Sequence, residues 1–166
     1  MSQLVKPLAF ISLLLTGALF GFFYAWVCST MWGLDAADPR VAIAAMQAMN
    51  ASVRNLVFAP AFFGTPVVLL ITTVILWRTS RGAALPYFAA AALSVIVLGF
   101  FLTMTVNVPM NEALGQLIVP QDKAAAQAIW DAYSPDWQVW NQVRTAACGL
   151  ALLLVGFGIT RLDESG

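Results

Sequence analysis

Apolar residues fall into four long runs along this chain, and the polar residues gather beside the runs rather than inside them. The first run, Leu8 to Val27, follows Lys6 and Pro7. The second, Leu56 to Trp77, is closed by Arg78 and Arg81. The third covers Ala83 to Val106, and the fourth, Thr145 to Ile159, continues a more polar helical stretch from Ser134. Runs of this length cross a hydrocarbon layer of ~30 Å as helices. The pattern therefore predicts an all-α integral membrane four-helix bundle, a single membrane domain over residues 1–166, with membrane helices at approximately 7–32, 56–78, 83–106 and 137–161. No small-x-small cleavage site follows the first run, so it is read as a mature helix rather than a signal peptide.

Helix-start chemistry refines the picture between the runs. Asp38-Pro39 pairs a capping residue with a proline suited to the first helical position, and it opens an amphipathic segment, Arg40 to Asn55, read as an extension leading into the second membrane helix. Pro120-Gln121-Asp122 opens a short surface helix, Ala124 to Tyr133, between the third and fourth membrane helices. Ser134-Pro135-Asp136 repeats the cap and predicts a fresh start for the fourth. Pro60 and Pro66 are expected to kink the second membrane helix, and Pro109 to break or kink the third.

Composition agrees and narrows the function. The chain is 61% hydrophobic and 10% charged, against ~25% charged in soluble domains. Eight basic residues balance eight acidic ones and form no block, so no nucleic-acid partner is expected. Two cysteines are too few for a disulfide framework. The absence of histidine removes the usual haem ligand, the usual general base and the commonest metal ligand. Lys6, Arg78, Arg81 and Arg161 share one side, which by the positive-inside rule is the cytoplasm. The expectation is a multi-pass protein of a bacterial inner membrane with both termini inside. Membrane lipids are its surroundings, and Gly17-x-x-x-Gly21 suits either self-association into a homo-oligomer or close packing within the bundle.

Three helices then bring polar groups to the outer end. Trp137, Trp140, Asn141 and Arg144 fall at i, i+3, i+4 and i+7 on the fourth. Gln47, Asn50 and Arg54 precede the second, Asn107, Asn111 and Glu112 end the third, and Tyr24 and Cys28 lie one turn apart on the first. A single Asn in such a position is ordinarily an interhelical hydrogen-bonder, and tryptophans at helix ends ordinarily anchor the interface. An arginine well inside an apolar helix, with Asn and two Trp on its face, is more expensive to maintain and calls for a use. The assembly predicts a pocket near the outer surface with Arg54 and Arg144 facing inward. Cys28 with Met31, Met46, Met49, Met104 and Met110 offers soft ligands for Cu(I), but Met is a common core filler, so core packing is preferred and no metal site is expected.

Asn107-Val-Pro-Met-Asn111 and Trp137-x-x-Trp140-Asn141-x-x-Arg144-Thr145 resemble the two motifs of the anthrone oxygenase-like family of small four-helix membrane proteins. The family often has a histidine after the fourth-helix Asn; Gln142 stands there in this chain. The resemblance implies oxidation of an anthrone or hydroquinone-like aromatic by O2, with O2 as co-substrate and no bound cofactor. In that reading Arg144, Asn141, Asn107, Asn111 and Glu112 are the catalytic candidates, Glu112 as a base strengthened by burial. Trp137, Trp140, Arg54, Asn50 and Tyr24 are the substrate-binding candidates, for an aromatic or amphiphilic small molecule. The alternative is a non-catalytic protein that binds a lipid, a quinone or a partner membrane protein in the same pocket.

Overall fold

The computed structural model describes residues 2–164, which form helices and no strand. There are five helices: α1 (Gln3–Ala36), α2 (Pro39–Ser52), α3 (Phe58–Arg78), α4 (Leu85–Gly115) and α5 (Lys123–Thr160). All but α2 are long and apolar enough to cross a membrane, as expected of a multi-pass membrane protein. α1 and α4 each pack against both α3 and α5, so the four form a ring with α1 opposite α4.

The four spans differ in length, and that difference shapes the molecule. α3 has 21 residues, whereas α1, α4 and α5 have 34, 31 and 38. At 1.5 Å per residue α5 is roughly 57 Å long, well beyond a ~30 Å hydrocarbon layer. The lower part of the bundle holds one apolar core, with Leu19, Phe23, Leu69, Phe88, Val95 and Val155 at its centre. The longer helices project past α3 and, with α2, enclose a second core built on Met31, Ile43, Met46, Trp130, Tyr133 and Trp137. Within the lower bundle, hydroxyls join the helices: Ser12 and Thr72 lie 3.1 Å apart across α1 and α3, and Ser94 donates to the Ala147 carbonyl across α4 and α5.

The element ends show where local chemistry decides and where it is overruled. Asp38 caps α2, accepting from Arg40 N at 3.0 Å, and Asp122 caps α5, accepting from Ala125 N at 2.8 Å; both starts are as expected. The fresh start at Ser134 is not found. α5 runs unbroken through Pro135, because Ser134 Oγ turns away from the backbone and donates to Asp35 Oδ1 at 2.7 Å. The surface helix and the fourth membrane helix are thus one rod. Nor does α2 continue into α3. Asn55 accepts from Val57 N and Phe58 N at 2.8 and 2.9 Å, which ends one segment and caps the next.

Pro109 does not break α4. Ahead of it the ladder widens into π-helical turns at Val95–Phe101 and Thr103–Asn107. Thr103 and Thr105 hydroxyls donate to the Gly99 and Phe101 carbonyls at 2.6 and 2.8 Å, satisfying backbone groups that lipid could not. Met31 and Met46 are buried in the upper apolar core, and Cys28 is exposed.

A single carboxylate clasps the upper layer. Asp35, on the last turn of α1, accepts from Trp130 Nε1 at 2.9 Å, from Ser134 Oγ, and from Gln138 Nε2 at 2.9 Å. Gln47 Nε2 donates to the Leu114 and Leu117 carbonyls at 2.8 and 3.0 Å, tying α2 to the end of α4. At the opposite end Lys6 pairs with Asp163 at 2.9 Å, and Arg81 donates to the Leu162 carbonyl.

Four outcomes follow from this structure. A Cβ on Gly158 would lie 2.7 Å from Phe88 Cε2 and 3.1 Å from Tyr87 Cβ, so Gly158→Ala should cost about 1–3 kcal/mol and lower the melting temperature in detergent. Gly21→Ala, with open space at its Cβ, should leave it unchanged. Asp35→Ala takes the acceptor from two part-buried donors, Trp130 Nε1 and Ser134 Oγ, at about 1–3 kcal/mol each, while Gln138 Nε2 keeps its bond to Ser134 Oγ; hydrogen exchange should accelerate over Ala124–Tyr133 while Ala147–Val155 keeps its protection. The Asp38 carboxyl is held down to about 2, chiefly by the Arg40 side chain. Its folded value lies below its unfolded one, so protection of the first turn of α2 should hold above about pH 4 and fade as pH falls through about 2.

Candidate functional site

Arg144 stands where the two apolar cores meet. It is 4% exposed and lies on the inward face of α5. Its Nε donates to Asn141 Oδ1 at 3.0 Å, and its Nη1 approaches Thr103 Oγ1 at 3.4 Å. The guanidinium carbon lies 4.3 Å from the Phe23 ring centroid and 5.1 Å from that of Trp137. Among the described residues no carboxylate lies within ion-pair distance of it. The charge is therefore held by amide, hydroxyl and two aromatic faces, with no countercharge.

Each holder is itself held. Asn141 Nδ2 donates to the Phe23 carbonyl at 3.2 Å, fixing the amide so that its oxygen faces Arg144. Thr103 is placed by its own bond to the Gly99 carbonyl. Trp137 Nε1 and the Tyr133 hydroxyl both donate to Asn111 Oδ1, at 2.8 and 2.7 Å, and Trp26 packs on Trp137 at 5.1 Å between centroids. Asn107 is fully buried, and neither its Nδ2 nor its Oδ1 has a hydrogen-bond partner among the described residues. Thr103, Asn107 and Asn111 succeed one another four residues apart, a single inward stripe on α4.

Beside Arg144 opens a cavity of ~600 Å3, lined by all five helices. α1 contributes Phe22, Phe23 and Trp26; α3 contributes Phe58, Phe62 and Phe63; Met49, Met104 and Val108 complete an apolar wall. Polar groups are few: Arg144, Asn50, Asn55, Asn111 and Thr103, with Arg54 and Glu112 at the rim. Arg54 Nη2 and Glu112 Oε1 pair at 3.0 Å across the mouth between the α2–α3 turn and α4. A cavity of this size and lining suits one flat organic molecule of a few rings, oriented by a small number of polar contacts.

The structure brings Arg144, Trp137, Asn111, Asn50, Arg54 and Glu112 to the cavity wall. Four other candidates stand elsewhere. Tyr24 is exposed on the outer face of α1, stacked on Phe20 at 5.4 Å. Trp140 also faces outward: at 100° per residue it sits about 100° from Asn141, at the edge of the stripe rather than its centre. Asn141 and Asn107 lie behind the wall, the first as the support of Arg144. Glu112 is on the wall but not buried; its side chain is 56% exposed and committed to Arg54, so burial does not make it a base. Arg54 likewise stays at the rim.

Thr103, Phe23, Trp26 and Asp35 were not anticipated. The four-residue rhythm of Thr103, Asn107 and Asn111 is a signal that finds the first. Phe23 sits in an ordinary apolar run with nothing to mark it, and Trp26, at the end of that run, reads as an interfacial anchor rather than a cavity residue. Asp35 looks like any loop carboxylate until Trp130, Ser134 and Gln138 fold onto it.

No curated protein and no solved structure matches the chain. A family model described as anthrone oxygenase matches residues 53–154. The matched stretch runs from the turn before α3 to the inner part of α5 and holds Arg54, Asn107, Asn111, Glu112, Trp137, Asn141 and Arg144. It covers well over half of the sequence, and the chain belongs to the anthrone oxygenase-like family.

Proposed function

We propose that the protein oxidises an anthrone or hydroquinone-like aromatic with O2 in the cavity beside Arg144, without a bound cofactor. The observation that carries this reading is a buried guanidinium, lacking a carboxylate partner, on the wall of an apolar cavity sized for a few fused rings. Such a charge stabilises an oxyanion that forms during reaction, and it does so in a low-dielectric setting where the interaction is strong. The aromatic wall, Phe23, Trp26, Phe58, Phe62 and Trp137, packs flat rings.

The chemistry proceeds in balanced steps. The ring methylene of an anthrone loses one proton and becomes an electron-rich enolate, whose oxygen pairs with Arg144. The released proton passes to water at the rim, beside the Arg54–Glu112 pair. The enolate gives one electron to O2, and the resulting carbon radical and superoxide combine to a peroxide anion, which takes a proton back from water at the rim. Loss of water leaves a ketone: one oxygen atom of O2 stays on the ring carbon, and the other departs with two hydrogens. Asn111 and Thr103 supply hydrogen-bonding groups beside the oxyanion.

The same reading includes a location. The end carrying Lys6, Arg78, Arg81 and Arg161 faces the cytoplasm of a bacterial inner membrane, with both termini there, so that the cavity lies toward the outer side.

Purified protein in detergent should consume O2 when given an anthrone. Arg144→Leu should lower turnover by about 10²-fold or more while remaining monodisperse and folded, and Arg144→Lys should fall between. Near-normal turnover in Arg144→Leu would remove the guanidinium from the mechanism. Absence of O2 uptake across anthrones and hydroquinones, with a quinone or lipid carried through purification, would assign the cavity to binding alone.

A further inference from the structure

We propose that the cavity is loaded sideways from the bilayer, through the gap between α3 and the outer half of α4, and that its ligand is a flat aromatic with one ionisable oxygen, dissolved in the membrane. This inference rests on the aromatic ligand class proposed above and adds the phase the ligand comes from.

The gap is a feature of the packing. α3 lies against α4 along Leu85–Phe101, where Phe62 and Phe100 approach to 5.3 Å and Phe63 and Phe100 to 5.9 Å between centroids. From Thr103 to Gly115 the backbones of α3 and α4 do not approach. Phe63 and Met104 flank this opening. Each lines the cavity, and they are 53% and 40% exposed. Two apolar cavity-lining residues this exposed, at the level where the α3 and α4 backbones part, mark a mouth.

Depth places that mouth in hydrocarbon. At 1.5 Å per residue Phe63 lies roughly 22 Å from Arg78, Met104 roughly 28 Å from Leu85, and Arg144 roughly 24 Å from Thr160, all within a ~30 Å layer measured from the basic end. Glu112 lies roughly 40 Å from Leu85 on the same scale, beyond it. The two rims match their surroundings: Phe63 and Met104 on the membrane side, and the Arg54–Glu112 pair on the water side. A ligand entering past Phe63 meets apolar surface first and Arg144 last, so its rings never cross water and its oxygen finds a donor only when seated.

The test uses the full chain in nanodiscs, with Phe63→Cys and Met104→Cys introduced into a Cys28→Ser, Cys148→Ala background. Loading is followed by quenching of tryptophan fluorescence, since Trp26 and Trp137 line the cavity. One probe is 1,8-dihydroxyanthraquinone delivered from phosphatidylcholine vesicles, and the other is anthraquinone-2-sulfonate delivered in water. A reducible thiol cross-linker across the two cysteines should slow loading of the membrane-borne probe at least ten-fold, and reduction should restore it. The sulfonate should load far more slowly than the membrane-borne probe before cross-linking. Unchanged loading after cross-linking, or a sulfonate rate equal to that of the membrane-borne probe, would overturn the lateral route and leave the oxidation reading intact. Lateral loading without O2 uptake on anthrones would overturn the oxidation reading and leave the route intact. Failure of both probes to quench would overturn the ligand class and the route together.

Discussion

A positive charge kept inside an apolar bundle without a countercharge is the constraint on which the rest of this structure depends. A guanidinium at membrane depth costs about 2.5–3.5 kcal/mol on insertion scales. Arg144 meets that cost with one short hydrogen bond to Asn141, a longer one to Thr103, and the faces of Phe23 and Trp137. A hydrogen bond to a charged group contributes about 1.5–3 kcal/mol and a desolvated cation–π contact up to ~2, so the charge is tolerable without being neutralised. The supports come from three helices: Phe23 from α1, Thr103 from α4, Asn141 and Trp137 from α5. The arginine is thus a joint of the bundle and, on its free side, the one strong positive centre of the inner cavity wall.

The cavity beside it follows from helix lengths. α3 stops at Phe58 while the other three spans continue. Above Phe58 the ring lacks its fourth wall, and α2 fills only part of the space. Arg40 and Gln47 bind α2 to the α4–α5 connector and the end of α4, not to α3. What stays unfilled is the space that Arg144 faces. A fourth span as long as the others would have closed the upper layer into an ordinary core.

Much of this was readable from the chain, and the misreadings share a cause. Four spans, the Asp38 and Asp122 caps, and the stripe Trp137–Asn141–Arg144 are local signals that the structure keeps. Ser134-Pro135 carries the same local signal as Asp38-Pro39, yet only one starts a helix. The difference is Asp35, 99 residues before Ser134, which draws the hydroxyl away from the backbone. Pro109 was expected to break or kink the third helix, and it does not break it: threonines four residues after Gly99 and Phe101 take up the carbonyls that the widened turns leave. Glu112 was expected to be buried because it follows a buried motif, but α4 has by then passed the end of α3, and the residue meets water and Arg54. Where an outcome depends on a partner distant in sequence, spacing alone has no access to it.

The position of Arg144 also bears on the proposed chemistry. A guanidinium in water would favour an enolate weakly, because solvent screens it; one deep in hydrocarbon with a carboxylate beside it would already be satisfied. This arginine lies between those cases, buried and with no carboxylate in ion-pair distance among the described residues, at the level where the bundle opens toward lipid. O2 and flat aromatics both dissolve better in hydrocarbon than in water, so a site at this depth meets both reactants at their higher concentrations. The hydrogen-bonded neighbours Asn141 and Thr103 fix the guanidinium before any ligand arrives, so little reorganisation is needed when an oxyanion forms. In the proposed reaction electron transfer from enolate to O2 needs no further group, which leaves the protein to generate and hold the anion, and a bundle with an unpaired buried cation facing an aromatic-lined cavity is suited to that task.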